Sequence, residues 1–388
     1  MTLAARISRL GTESAFTVLA RAEALRAAGR SVINLGIGQP DFATPDHVVE
    51  AAVRALHDGH HGYTPANGIL PLREAVAADL AARQGVEIDP DCVLIVPGGK
   101  VTMFFAILMA GEPGAEILYP DPGFPIYRSA IEFSGATPVP IPLREETGFA
   151  FSADEVLSRI TPATRLLIVN SPGNPTGGVV PRAEIDRLAA GLEAHPQVTI
   201  LSDEIYSRLI YSGEPHTCLL AYPAIRDRVI LLDGWSKSYA MTGWRLGYGV
   251  WPAAWVEGAT RLAINSFSCV NAASQWAGIV ALEGPQGSVE EMRIAFDERR
   301  RVILAALNKL PGVSCVEPWG AFYAMPNITG TGMTAREAEY RLLEEAGVAT
   351  IAGTSFGEHG EGHLRFSYAA SLDDIAEAMT RIEALLAC

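Results

Sequence analysis

Lys237 stands among small residues and tryptophans in the stretch Asp233-Gly234-Trp235-Ser236-Lys237-Ser238-Tyr239-Ala240-Met241-Thr242-Gly243-Trp244-Arg245, directly after the apolar run Val229-Ile230-Leu231-Leu232. A lysine in partly apolar surroundings loses solvation of its charged form, so its pKa falls and its amine becomes a nucleophile toward carbonyl carbon. Arg245 follows in the same stretch, where a permanent bidentate cation suits a phosphate. Taken alone, an exposed loop lysine and a structural ion pair account for these two residues better, because most Lys and Arg side chains lie on the surface.

The elements around them change that balance. Between residues 92 and 250 short apolar runs alternate with longer helical segments: Val93-Leu94-Ile95-Val96, Glu116-Ile117-Leu118-Tyr119, Leu166-Leu167-Ile168-Val169, Val198-Thr199-Ile200-Leu201 and the run before Lys237. Their continuous apolar character predicts strands covered on both faces, and the alternation predicts a mostly parallel sheet. Ligands of such sheets bind beyond the carboxyl ends of the strands. The first run delivers Pro97-Gly98-Gly99-Lys100 there, opening a helix whose free N–H groups would cradle a phosphate. The second delivers Pro120-Asp121-Pro122-Gly123-Phe124, a stiff turn that presents an aromatic to a flat ring. The third delivers Ser171-Pro172-Gly173-Asn174-Pro175-Thr176-Gly177, with an asparagine amide free to donate. The fourth delivers Asp203-Glu204-Ile205-Tyr206, and the fifth Ser236-Lys237.

Each piece has a plain alternative. The glycine pair and Asn-Pro-Thr-Gly are also ordinary turns, the Walker spacing is absent, Asp203 suits a helix cap, and Phe124 and Tyr206 suit a core. Five strands delivering compatible groups to one edge favour a single ligand. Lys237 would meet an aldehyde, Asp203 would keep a ring nitrogen protonated, and Asn174 and Tyr206 would donate to a phenolate oxygen. Gly99, Lys100, Ser236 and Arg245 would hold a phosphate, with Phe124 over the ring. That ligand is pyridoxal 5′-phosphate (PLP), whose protonated pyridine is an electron sink.

A chain of 388 residues exceeds one ordinary core, so about two domains are expected. The net charge of −14 repels nucleic acid and anionic membranes, which leaves a bound phosphate dependent on a local basic pocket. Met1-Thr2-Leu3-Ala4-Ala5-Arg6 lacks a signal-peptide core and no spanning-length apolar run follows, so a cytoplasmic protein is expected. Cys92, Cys218, Cys269, Cys315 and Cys388 are scattered without CxxC spacing and predict free thiols; the histidines show no HExxH, and no metal site is expected. Near the N-terminus a helix is expected over 14–28. Thr44-Pro45-Asp46 predicts a helix start with Thr44 as cap, followed by a stripe of Val49, Ala52, Val53 and Leu56. After residue 285 come a long helix with Arg299-Arg300-Arg301 as a solvated face, a strand over 320–324, a capping box at Thr334–Glu337 and the alternating His363-Leu364-Arg365-Phe366-Ser367-Tyr368. Arg365 suits a bidentate carboxylate clamp and, equally, a strand-edge salt bridge.

With these residues together, the chain resembles the class I PLP-dependent aminotransferases of fold type I, especially the bacterial aspartate-aminotransferase-like branch. The resemblance rests on Ser236-Lys237 with Arg245 in Met-Thr-Gly-Trp-Arg-Leu-Gly-Tyr, on Asn174-Pro-Thr-Gly and on Asp203-Glu-Ile-Tyr206, and runs from Gly36-Ile37-Gly38-Gln39-Pro40-Asp41-Phe42 through Arg365. It implies an α/β fold: a large PLP-binding domain over 46–285, with a mostly parallel central sheet between helices, and a smaller α+β domain built from 1–45 and 286–388. It also implies roles. Lys237 forms the Schiff base and then moves the proton at the substrate Cα; Asp203 pairs with the pyridine nitrogen; Asn174 and Tyr206 contact the ring hydroxyl; Phe124 stacks on the ring. Gly99, Lys100, Ser236 and Arg245 lie at the phosphate, while Arg365, Gly38 and Asn174 lie at the substrate α-carboxylate. Tyr63 reaches the phosphate from a neighbouring subunit, which implies a homodimer with shared active sites; from the net charge of −14, neither nucleic-acid nor membrane partners are expected.

The implied reaction is ping-pong transfer of an L-amino acid's amino group to a 2-oxo acid, 2-oxoglutarate or pyruvate. A PLP-dependent C–S β-lyase on the same fold is the alternative, and a non-catalytic PLP-fold sensor a remote one. Gly234 and Gly173 depart from the family pattern, where a serine and a second asparagine are common. Lys100 matches a lysine that approaches a distal carboxylate in aspartate-preferring relatives, whereas Thr12-Glu13-Ser14-Ala15-Phe16 points to neutral or aromatic donors. Both donor classes stay open.

Overall fold

The computed structural model describes residues 3–387; Cys388, one of the expected free thiols, lies outside the described residues, as do Met1 and Thr2 of the N-terminal stretch. A seven-stranded sheet carries the site. Its spatial order is Val93–Val96, Gly247–Val250, Val229–Gly234, Thr199–Asp203, Thr164–Asn170, Glu116–Asp121 and Thr137–Pro142. Gly247–Val250 runs antiparallel to both neighbours and every other pairing is parallel. The five apolar runs are all strands of this sheet. Successive residues feed two cores: Leu94, Val96, Ile117, Leu166, Ile168, Ile230 and Leu232 pack on one face, and Val93, Ile95, Leu118, Leu167, Val169, Val229 and Leu231 on the other. Burial on both faces is why these strands read as continuous rather than alternating.

The other two strands were not expected, for reasons visible in their residues. Thr137–Pro142 reads Thr-Pro-Val-Pro-Ile-Pro, which no central strand tolerates. It lies at the sheet edge. The Thr137 and Leu143 N–H groups donate inward, to Ala115 and Asp121, and the prolines occupy the alternate positions where a donor has no partner. Gly247–Val250 carries two glycines because the sheet is tight there: a Cβ at Gly247 would lie 2.4 Å from the Gly99 nitrogen. Gly234 pairs with Gly247, and a Cβ on it would sit 2.8 Å from the Gly247 Cα. Close backbone packing thus accounts for glycine at both positions.

A third core gathers the strands Leu364–Ser367 and Tyr323–Ala324 with the helices Gly287–Leu307 and Leu372–Leu386, and Ile351–Ala352 completes their antiparallel sheet. Ile33–Asn34 pairs with Val348–Ala349, which brings the N-terminal residues to this side. The capping box at Thr334 and Glu337 is present. The strand expected over 320–324 is reduced to Tyr323–Ala324, since Ala321 has φ +56° and its N–H turns to the Leu209 carbonyl.

Three further expectations are corrected. Thr44 does not cap the helix Asp46–His57; its hydroxyl donates to the Ala240 carbonyl (2.9 Å) and accepts from Trp244 Nε1 (3.0 Å), tying the chain to the loop after Lys237. That helix buries Val48, Ala51, Ala52 and Ala55, leaving Val49, Val53 and Leu56 exposed. Of the Arg299–Arg301 run only Arg301 is solvent-exposed. Arg300 is 3% exposed between the Tyr211 and Trp319 rings and bonds Asp297 and Glu317, while Arg299 grips Asp41 through two hydrogen bonds.

Candidate active site

Where the carboxyl ends of the strands meet the third core there is a cavity of about 530 Å³. Lys237 enters it from the short helix Trp235–Ser238, formed directly at the end of Val229–Gly234. Its Nζ donates to the Gly38 carbonyl at 2.5 Å. Burial, reinforced by the positive charges of Arg365 and Arg245, pushes its pKa down to about 8. A substantial fraction of amine is therefore unprotonated just above neutrality, as a nucleophile and proton carrier requires.

Asp203 ends its strand 7% exposed. Burial pushes its carboxyl up to about 6, against hydrogen bonds from Tyr127 Oη (2.6 Å) and the Ile205 N–H that favour the anion. A buried carboxylate with no cation bonded to it is suited to a positively charged nitrogen in the cavity. Asn170 fixes both neighbours: its Nδ2 donates to the Asp203 carbonyl (3.1 Å) and its Oδ1 accepts from the Asn174 N–H (3.0 Å). Asn174 Oδ1 in turn accepts from Arg365 Nη1 at 3.0 Å, which leaves the Asn174 Nδ2 to donate.

Arg365 is 4% exposed and lies on the middle strand of its sheet, so the strand-edge salt bridge does not apply. Its guanidinium lies between the Tyr323 and Phe356 rings, with Nη2 donating to the Gly36 carbonyl and Nε left without a partner. Burial lowers its pKa. A buried guanidinium with an unsatisfied donor and, among the described residues, no bonded carboxylate is built for an external one.

Opposite it, Gly98 (φ +92°) and Gly99 lead into the helix Lys100–Ala110. Arg245, itself at φ +52°, crosses against this turn: its Nη2 donates to the Pro97 carbonyl (3.2 Å), and a Cβ at Gly98 would lie 2.1 Å from it. Ser236, at the start of the Lys237 helix, completes a concave, cationic cradle on this wall. Phe124, edge-on to Tyr127 at 5.7 Å, lines the cavity between these groups and Lys100.

The residue types and the geometry agree with one family whose model, aminotransferase class I and II, matches residues 30–382. The chain belongs to the class I and II aminotransferases. It is similar to an aspartate aminotransferase of Geobacillus stearothermophilus, 37% identical over 98% of both chains, and to an aromatic-amino-acid aminotransferase of Thermococcus litoralis, 37% identical over 92% of both. Its fold superposes on an aspartate aminotransferase from Rhizobium meliloti with a TM-score of 0.95 at 33% identity, covering 100% of this chain and 99% of that one. The aminotransferase is thus a PLP-dependent enzyme of fold type I. The cavity fits that cofactor: it offers an amine of lowered pKa, an acid buried without a cationic partner among the described residues, and a glycine turn against Arg245 that a Cβ at Gly98 would fill.

Of the residues singled out in the sequence, all but one line this cavity of the aminotransferase; Tyr63 is 95% exposed and lies instead beside Leu56, His60 and Cys269. Three residues were not assigned a role. Tyr127 holds Asp203, Asn170 holds Asn174, and Tyr323 Oη pairs with Tyr206 Oη at 2.8 Å while its ring carries Arg365. Tyr323 also explains Gly38, where a Cβ would lie 2.0 Å from the tyrosine oxygen. The one available signal was position. Tyr127 and Asn170 fall within or beside stretches already read as strand ends, whereas Tyr323 reads as core.

Proposed function

We propose that the enzyme transfers the amino group of an L-amino acid to a 2-oxo acid, 2-oxoglutarate or pyruvate, in two half-reactions at this cavity. The observation that carries this reading is Arg365. It is buried, partly unsatisfied and on the same cavity as Lys237, so an α-carboxylate on its guanidinium would present the neighbouring Cα to the amine. Bound PLP supplies a protonated pyridine ring that takes up the electrons released at Cα. Lys237 Nζ is the amine that meets the aldehyde and afterwards accepts and returns the Cα proton. Asp203, held by Tyr127, would pair with the ring nitrogen, and Asn174 Nδ2 and Tyr206 Oη would donate to the ring oxygen. Arg245, Ser236 and the Gly99 end of the helix would hold the phosphate, with Lys100 at the edge of that turn and its ammonium turned to Glu13; Phe124 would cover the ring, and Gly38 would flank the substrate carboxylate.

Tyr63 serves the cavity of a second copy in this reading. The exposed Val49, Val53 and Leu56 next to it provide an apolar face for a homodimer. The same reading divides the chain into a large domain over 46–285 and a small one from 1–45 and 286–388, and places it in the cytoplasm.

An absorbance titration of the purified enzyme tests the reaction. The cofactor band is expected to disappear with a donor amino acid and return with a 2-oxo acid. Ammonia released without an acceptor would instead assign the β-lyase chemistry. Arg365→Lys is expected to lower kcat/KM for the donor about a hundredfold, mostly through KM, because a point charge replaces a planar fork stacked on two rings. An unchanged KM would remove Arg365 from the carboxylate site.

A further inference from the structure

Among the described residues two acids line the cavity, Asp203 and Glu13. Glu13 precedes the helix Ser14–Ala27 at its N-cap position yet makes no capping hydrogen bond. Its carboxylate reaches instead to Lys100, with Oε1 accepting from Nζ, while Lys100 lies over the Phe124 ring. The Glu13 side chain is 16% exposed and that of Lys100 44%, so the carboxylate is the more enclosed partner. Its field extends further: the Glu13 charge opposes the burial that lowers both Lys237 and Arg365. Of the four cations on the cavity wall, Arg365, Lys237 and Arg245 are committed to carboxylate, aldehyde and phosphate. Lys100 is the remaining ammonium with which a substrate side chain could pair, and the chain has supplied its own carboxylate to it. The adjoining wall is apolar, with Phe16, Ile37, Phe124 and Phe356.

We propose that Glu13 sets the donor class by occupying the Lys100 ammonium that a distal substrate carboxylate would need, so that the enzyme selects amino acids with uncharged side chains over dicarboxylic ones. The proposal rests on the aminotransferase reading and names its donor. A dicarboxylic substrate must break the Glu13–Lys100 pair and leave the Glu13 carboxylate facing its own in a partly enclosed space. An uncharged side chain leaves the pair intact and meets the apolar wall. Specificity of this kind comes from a repulsive element as much as from an attractive one.

The test uses the PLP-loaded enzyme and two unreactive probes, succinate and butyrate, with dissociation constants measured by calorimetry. Glu13→Gln is expected to tighten succinate about tenfold, the size of one partly screened charge interaction, and to change butyrate less than about twofold. Glu13→Ser, which has no amide to offer, is expected to move succinate in the same direction. In both variants kcat/KM for L-aspartate should rise relative to that for L-leucine. Equal shifts of the two probes, no gain for succinate, or a gain confined to the glutamine variant would overturn the proposal. Absence of amino-group exchange with any donor, in wild type and variants alike, would overturn the aminotransferase reading while leaving the succinate-to-butyrate ratio readable.

Discussion

Lys237→Ala is expected to abolish turnover, with a loss of at least about ten-thousandfold, and to leave the fold intact. No other amine replaces it. The next lysine on the cavity wall, Lys100, is paired with Glu13, and Arg365 and Arg245 carry guanidinium groups rather than nucleophilic amines. Loss of a group that both forms the covalent bond and carries the proton is not compensated by its neighbours. The cost to the fold is small for a physical reason. Below pH 8 the native chain holds an ammonium whose pKa is depressed from 10.5 to about 8, so native and unfolded chains differ in bound protons between those values. There the unfolded chain binds more protons, and stability rises with pH across roughly 8 to 10.5. At neutral pH the burial is unfavourable, and alanine relieves it while losing the hydrogen bond to Gly38. The melting temperature of the cofactor-free variant is therefore expected to stay within a few degrees of wild type. Residual transamination above the stated level would contradict the role.

Asp203→Asn separates stability from function still more sharply. The carboxyl is pushed up to about 6 from 3.8, mainly by burial. Between those values the native chain retains a proton that the unfolded chain has lost, so stability falls as pH rises through that window and the deficit persists above it. The shift corresponds to roughly 3 kcal/mol at most. Asparagine keeps an oxygen for the Tyr127 hydroxyl and carries no charge, so the cofactor-free variant is expected to melt higher than wild type at pH 7.5. Asp233, also pushed up to about 6 by burial, titrates in the same window, and the variant should lose about half of the pH dependence rather than all of it. Activity moves the other way. Without an anion to keep the ring nitrogen protonated, kcat is expected to fall about a thousandfold or more. A variant both less stable and fully active would place the acid elsewhere.

How much of this was legible in the sequence depended on whether a residue advertised its chemistry by spacing. Lys237 and Arg245 share one short stretch, and Asp203, Asn174 and the glycine pair each follow an apolar run, so the sheet's topology collects them at one edge. Tyr323 gave no such signal, because a buried strand tyrosine between Phe322 and Ala324 looks like packing; its hydroxyl pairing with Tyr206 exists only in three dimensions. The edge strand Thr137–Pro142 was hidden by prolines that only an outer position tolerates. Arg300 was misjudged because charge runs usually mark solvated surface, whereas here two rings and two acids enclose it. The helix Asp46–His57 is apolar around more of its circumference than is buried, with Val49, Val53 and Leu56 exposed. Its buried side is set by the packing partner Ala272–Glu283, which no local pattern reveals.

The most direct test of the account locates the covalent bond. The enzyme purified with its cofactor is treated with borohydride, digested and analysed by mass spectrometry for the pyridoxyl-modified peptide. The modification is expected on Lys237, within the peptide that follows Asp233-Gly234. Modification on Lys100 or on Lys309, the two other lysines of the chain, would contradict it.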